Sequence, residues 1–261
     1  MDTSSIHPGR HVHPTNAFIP IRLEDINQAI TARFESQVAL HANKLAVTCD
    51  SFRWTYGELN QMAGAVASAI LNSVEDAEEP VIVLLDQATP AIAAILGVLK
   101  AGKIYVPLDP LYPKQRLEFM ARHCGARLVV TNSRHVDLCT SLALDNVRII
   151  NIDDLSQSDS GNSRVCDIDP GRAAHIIYTS GSTGRPRGVL QNHRNLLFEV
   201  SRVTNSFHVS KEDRLALLHS ISTIASVRRI FPALAAFTSI GNGDISPRRF
   251  DVFRLAERCR R

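Results

Sequence analysis

Tyr178-Thr-Ser-Gly-Ser-Thr-Gly-Arg-Pro-Arg-Gly-Val189 decides how the rest of this chain is read. It follows the apolar run Ala173-Ala-His-Ile-Ile177, which has the composition of a buried strand. Gly181, Gly184 and Gly188 remove Cβ atoms where backbone amides would turn toward an anion. Thr179, Ser180, Ser182 and Thr183 add hydroxyl donors, and Arg187 supplies a permanent charge on a planar donor fork. Hydroxyls, glycines and a cation packed this densely specify a cradle for a polyphosphate rather than a solvated turn. Spacing excludes two other phosphate loops. A Walker A loop needs G-x-x-x-x-G-K-[ST], but Pro186 stands five residues after Gly181, and no G-x-G-x-x-G opens a helix here.

Two further stretches precede it. Trp54-Thr-Tyr-Gly-Glu-Leu-Asn60 resembles a T-Y-x-E-L-N element, and Leu99-Lys-Ala-Gly-Lys-Ile-Tyr-Val-Pro-Leu-Asp-Pro-Leu-Tyr-Pro-Lys-Gln-Arg-Leu117 resembles an L-K-A-G-x-A-Y-V-P-x-D-P-x-Y-P-x-x-R-L block. In this order the three motifs resemble those of the adenylate-forming, AMP-binding enzymes, which include acyl-CoA synthetases and the adenylation domains of nonribosomal peptide synthetases. The resemblance runs from about Ile26 to about Phe237. No counterpart appears of the family's later N-x-Y-G-P-T-E segment, ribose-binding Asp, hinge or C-terminal lysine. The resemblance therefore implies the N-terminal part of such an enzyme.

Working outward from the loop, apolar residues recur at helical spacing through Ile26, Ala29, Ile30, Phe34 and Val38, and again from Tyr56 to Leu71. Val81 to Leu85 reads as a strand buried on both faces, and Pro90 opens a helix that stops at Gly102. Strands at 104–107, 127–131 and 147–150 alternate with helices at 114–124 and 134–142. After the loop, a helix is expected from Asn192 to Phe207, a strand at 214–218 and a helix around 226–237. This alternation predicts an α/β fold of βαβ units, with mostly parallel sheets flanked by helices. The expected division is an extended N-terminal arm (1–22), a first α/β lobe (23–155), a phosphate-loop segment starting a second lobe (164–237) and a basic tail (238–261). The polar stretch Ser156 to Ser163 marks the internal boundary. Thr55 to Glu58 has the form of a capping box, and the prolines of Pro107-Leu-Asp-Pro-Leu-Tyr-Pro113 shape a turn with Pro113 in the next helix's first turn. Asp109 and Arg116 are therefore assigned to structure rather than chemistry.

A hydrophobic fraction of 44% and a charged fraction of 21% are those of an ordinary globular protein. The net charge of +3 resides in the tail, where Arg248 to Arg261 holds six arginines against Asp251 and Glu257. That distribution argues against a surface built for nucleic acid. The start of the chain has neither the basic nor the apolar region of a signal peptide, and no apolar run is long enough to span a bilayer. Five cysteines without C-x-x-C spacing fit reduced thiols, so the expected setting is cytoplasmic and no metal site is expected.

The resemblance implies that a carboxylate attacks the α-phosphorus of ATP, giving an acyl-adenylate and pyrophosphate. A thiol, on CoA or on the phosphopantetheine arm of a carrier protein, then takes the acyl group. Thr179, Ser180, Gly181, Ser182, Thr183, Gly184, Arg187 and Gly188 would hold the β- and γ-phosphates together with Mg²⁺, whose carboxylate ligand is expected beyond the chain's end. His193, in a short H-x-N element, is read as a helix-start residue or a lining residue of the acyl site. The family commonly has lysine where Arg187 stands. Ile224 stands where amino-acid-activating members place an Asp that pairs with the substrate's α-ammonium. Isoleucine cannot compensate a buried ammonium, so the implied substrate is a small carboxylic acid lacking an α-amine, unless Ile224 merely packs the core. Two readings stay open: an ATP-dependent ligase working with further chain or domains, and a non-catalytic remnant that binds nucleotide or a partner. Uncovered apolar surface on an unfinished second lobe would promote association.

Overall fold

The structure is a computed structural model that describes residues 18–49, 52–73, 78–86, 89–142, 144, 146–157, 167–180, 185–236 and 239–241. Its strands form two sheets. The larger contains β3 (Pro80–Leu84), β4 (Ile104–Leu108), β5 (Leu128–Thr131), β6 (Arg148–Asn151), β7 (Ala173–Ser180) and β8 (Pro186–Asn192), in the order β6-β5-β3-β4-β7-β8. All its pairings are parallel except β7 with β8. The smaller sheet contains β1 (Leu45–Thr48), β2 (Arg53–Thr55), β9 (Arg214–Ala216) and β10 (Ser239–Gly241), in the order β2-β1-β10-β9.

The α/β expectation is met, and the reason lies in the burial of the central strands. In β3, Val81 and Val83 face one apolar cluster while Ile82 and Leu84 face another, so both faces of the sheet are covered. On one face lie α4 (Lys114–Cys124) and α5 (Val136–Ser141). The other face meets a helical layer of α1 (Ile30–His41), α2 (Tyr56–Leu71), α3 (Thr89–Lys100), α6 (His193–Phe207) and α7 (Ile224–Ala235), whose far side packs on the small sheet.

Local chemistry sets several boundaries. Thr55 closes the expected capping box: its hydroxyl accepts from the Glu58 amide at 3.2 Å, and its own amide donates to Glu58 Oε2 at 2.7 Å. Pro113 sits just before α4 as its N-cap rather than inside the first turn. Asp109 accepts from the Leu111 amide at 2.9 Å, which holds the turn after β4. Gly125 ends α4 with φ +68°, in the left-handed region that favours glycine. Because nothing lies within 4 Å of a Cβ built there, Gly125→Ala isolates backbone strain. It is expected to cost about 1 kcal/mol in urea unfolding, with Gly125→Asn costing less.

Several expectations need correction. The helix read from Ile26 is a short 3₁₀ turn at Glu24–Ile26; α1 begins only at Ile30, after an extended Ala29. The end of the expected arm is docked: Ile21 is buried, and its amide and carbonyl both bond the Asn205 side chain at 2.9 Å. The expected tail contains β10 at its start. The strands on either side of the 156–163 connector share both sheets, because β7 pairs with β4 and β10 with β1. Residues 1–17, 158–166 and 242–261 lie outside the described residues. Among the described residues no helix is long and apolar enough to cross a membrane.

Candidate phosphate-binding site

The described ends of the diagnostic stretch pair as antiparallel strands instead of leading straight from a strand into a helix. Tyr178, Thr179 and Ser180 end β7, and Pro186-Arg-Gly-Val189 begins β8, with Thr179 opposite Arg187 and Tyr178 opposite Gly188. Gly181, Ser182, Thr183 and Gly184 lie outside the described residues. The Thr179 hydroxyl donates to the Arg187 carbonyl at 3.4 Å, and Thr179, Ser180 and Arg187 are all exposed at the tip. From Tyr178 to Phe198 the chain has Arg185, Arg187 and Arg194 but no carboxylate.

Gly188 also carries a packing constraint that its sequence did not suggest. A Cβ there would lie 2.9 Å from Ile176 Cγ2 and 3.4 Å from the Tyr178 ring. It is therefore a close-approach residue that admits Tyr178 across the hairpin. Sequence reasoning missed Tyr178 itself. Its buried hydroxyl donates to the Met120 carbonyl at 3.1 Å and shares a 2.8 Å hydrogen bond with His123 Nδ1, pinning the hairpin to α4. Burial pushes the phenol well above its usual pKa, so it stays neutral and acts as an anchor.

His193 is fully buried as the first residue of α6, and the helix cap comes from Asn192, whose side chain accepts from the Asn195 amide at 2.8 Å. Its Nδ1 accepts the Ile30 amide at 3.4 Å, so it joins the hairpin to the start of α1. Burial, with the Arg172 charge adding to it, lowers its pKa to about 4. Ile224 is the first residue of α7 and is partly buried against the main core. The preceding turn is tied to the segment after β4 by a 2.8 Å hydrogen bond between Tyr112 and Ser222. Since β4 and β7 are parallel, Ile224 and the hairpin tip belong to the carboxyl edge of the sheet, where open α/β folds hold ligands. Arg116 lies 4.3 Å over the Tyr112 ring, in keeping with its structural assignment.

Comparison with known proteins settles the family. The AMP-binding enzyme family matches residues 34–258. The chain belongs to the AMP-binding enzymes. Among AMP-binding relatives, bacitracin synthase 1 of Bacillus licheniformis is 32% identical over 214 residues, covering 82% of this chain and 4% of that protein. The nonribosomal peptide synthetase FmoA3, in its AMPPNP-bound form, superposes with a TM-score of 0.73 at 27% identity, covering 87% of this chain and 24% of the other. The fatty acid AMP ligase of Legionella pneumophila shares the fold, with a TM-score of 0.77 at 23% identity over 84% of this chain and 40% of the ligase. The chain thus spans only a small part of the curated relatives that it matches.

Proposed function

We propose that this AMP-binding chain holds ATP during activation of a carboxylic acid as an acyl-adenylate. The observation that carries the reading is the exposed tip, with Thr179, Ser180 and Arg187 on a hairpin that has no nearby carboxylate in its sequence. Arg187 grips phosphate oxygens through its donor fork, and the hydroxyls add neutral donors. A carboxylate oxygen attacks the α-phosphorus, the bond to the bridging oxygen breaks, and pyrophosphate leaves with that electron pair. The hairpin neutralises charge on the departing group, and phosphoryl chemistry gains most from such positioning. No carboxylate lies between Tyr178 and Phe198, so a carboxylate that held Mg²⁺ on the phosphates would come from elsewhere. Ile224 supports an acid without an α-ammonium, and a thiol of CoA or of a carrier-protein phosphopantetheine is the acceptor.

The test is calorimetric ATP binding beside ATP–pyrophosphate exchange with panels of carboxylic and amino acids. Arg187→Ala is expected to weaken ATP binding by roughly 10- to 100-fold, the loss of a charge-assisted hydrogen bond, while Arg187→Lys retains most of it. Equal binding by Arg187→Ala and the parent would overturn the assignment. Preferential exchange with α-amino acids would overturn the substrate class. Binding without exchange would favour a nucleotide-holding role.

A further inference from the structure

The first turn of α1 opens on a cavity of about 270 Å³. Asn27, Gln28, Thr31 and Ala32 line it from the α1 side, and Asp167 and Pro170 line it from the segment that leads into β7. The phosphate-binding tip lies at the other end of β7, roughly 20–25 Å away at about 3.3 Å per strand residue. The cavity is therefore a separate place in the fold.

An α-helix leaves its first amides without internal acceptors, and a capping side chain commonly takes one of them. Ala29 stands at the cap of α1 and has no such side chain. The Ile30 amide donates to His193 Nδ1 and the Arg33 amide to the Ala29 carbonyl. The Thr31 and Ala32 amides have no acceptor among the described residues, and both residues line the cavity. Thr31 is only 3% exposed, yet its hydroxyl also has no partner among the described residues. A buried hydroxyl is costly to leave unpaired. Three donors thus converge at a helix end that carries positive partial charge, with no acidic residue in the first turn. Arg194 adds positive charge beside them, because it donates to Asn27 Oδ1 at 2.9 Å. Asp167 adds the opposite charge: it is exposed and makes no ion pair among the described residues.

A bare anion would be repelled by the Asp167 carboxylate, and a bare cation would leave the amides unmet. A molecule that carries both charges satisfies both sides. We propose that this cavity binds a small zwitterion of the free amino acid class, at a site apart from the phosphate-binding tip. Its carboxylate accepts from the Thr31 and Ala32 amides and the Thr31 hydroxyl, and its ammonium faces Asp167. The ligand sits beside the Ile30–His193 hydrogen bond that joins α1 to the hairpin.

The experiment is a ¹H–¹⁵N NMR titration of the full chain with L-alanine, acetate and methylammonium as separate probes. L-alanine is expected to shift the Thr31 and Ala32 amides saturably, and to bind about fivefold or more tightly than either single-charge probe. Thr31→Val keeps the side chain's shape, removes one donor and should weaken L-alanine by about tenfold. Asp167→Asn should weaken L-alanine by about fivefold while tightening acetate, because it removes an attraction for one probe and a repulsion for the other. It alters an exposed side chain, so the test stands even if Thr31→Val does not fold. Acetate binding the parent as tightly as L-alanine, or Asp167→Asn weakening both alike, would overturn the zwitterion. No saturable shift of either amide with any of the three probes would overturn the site.

Discussion

Gly97→Val is expected to abolish cooperative folding. Gly97 lies within α3 where it crosses α2, and a Cβ there would meet Val66 Cβ at 2.5 Å, Val66 Cγ1 at 2.6 Å and the Ala63 carbonyl at 2.9 Å. The side-chain atoms belong to a short β-branched residue and the oxygen to backbone, so neither can swing aside. For Gly97→Ala, about 1–3 kcal/mol of overpacking is offset by about 1 kcal/mol of helix propensity, leaving a modest loss. Valine adds two methyl groups to a space that cannot hold one, and a loss above about 4 kcal/mol is expected. That approaches the entire stability of many domains, roughly 5–15 kcal/mol. Circular dichroism melts check this directly: a valine variant unfolding within a few degrees of the parent would refute the packing argument. Val66→Ala should recover part of the loss in a double-mutant cycle, because the two positions share one contact.

Acid is expected to destabilise the protein well before its carboxylates titrate. Burial lowers the pKa of His175 to about 4, opposed by Gln191 and assisted by His193, and lowers that of His193 to about 4 as well. Both titrate near 6.5 when unfolded. The folded values are depressed, so the unfolded chain binds more protons between pH 6.5 and 4, and stability falls as pH falls through that window. Between pH 7 and pH 5 the loss should be about 2 kcal/mol for each imidazole. Urea midpoints at the two pH values measure it. His175→Phe preserves an aromatic ring against Tyr105 and should remove about half of the pH dependence; an unchanged slope would show that His175 is not buried as a neutral group.

Much of this architecture was legible because central strands of a covered sheet must be apolar on both faces. Val81 to Leu85 could be read on that ground, the strand at 104–107 from its place in the alternation of strands and helices, and the helix stop at Gly102 from the glycine itself. The strands that escaped notice lack the signal. β8 carries Pro186, Arg187 and Gly188 and exposes Val189 and Leu190, so it reads as loop, and only its pairing with β7 makes it a strand. β1 and β10 are short, and their pairing joins the first described strand to the last described one, which no local periodicity reveals. For the candidate site, the chemistry of Thr179, Ser180 and Arg187 could be read directly, whereas the close approach at Gly188 and the burial of His193 depend on what lies opposite. An interior helical glycine such as Gly97 was the one overlooked sign of tight packing that sequence could have given.

The pairing of β1 with β10 also orders events during synthesis. The larger sheet has every strand in hand once β8 has left the ribosome, but β1 must wait for a partner that emerges near the end of the described chain. Until then the β1–β2 ribbon presents an open strand edge, and such edges recruit other chains. Slow translation or crowding therefore threatens this protein most before β10 appears, at a stage when the β7–β8 hairpin is already complete.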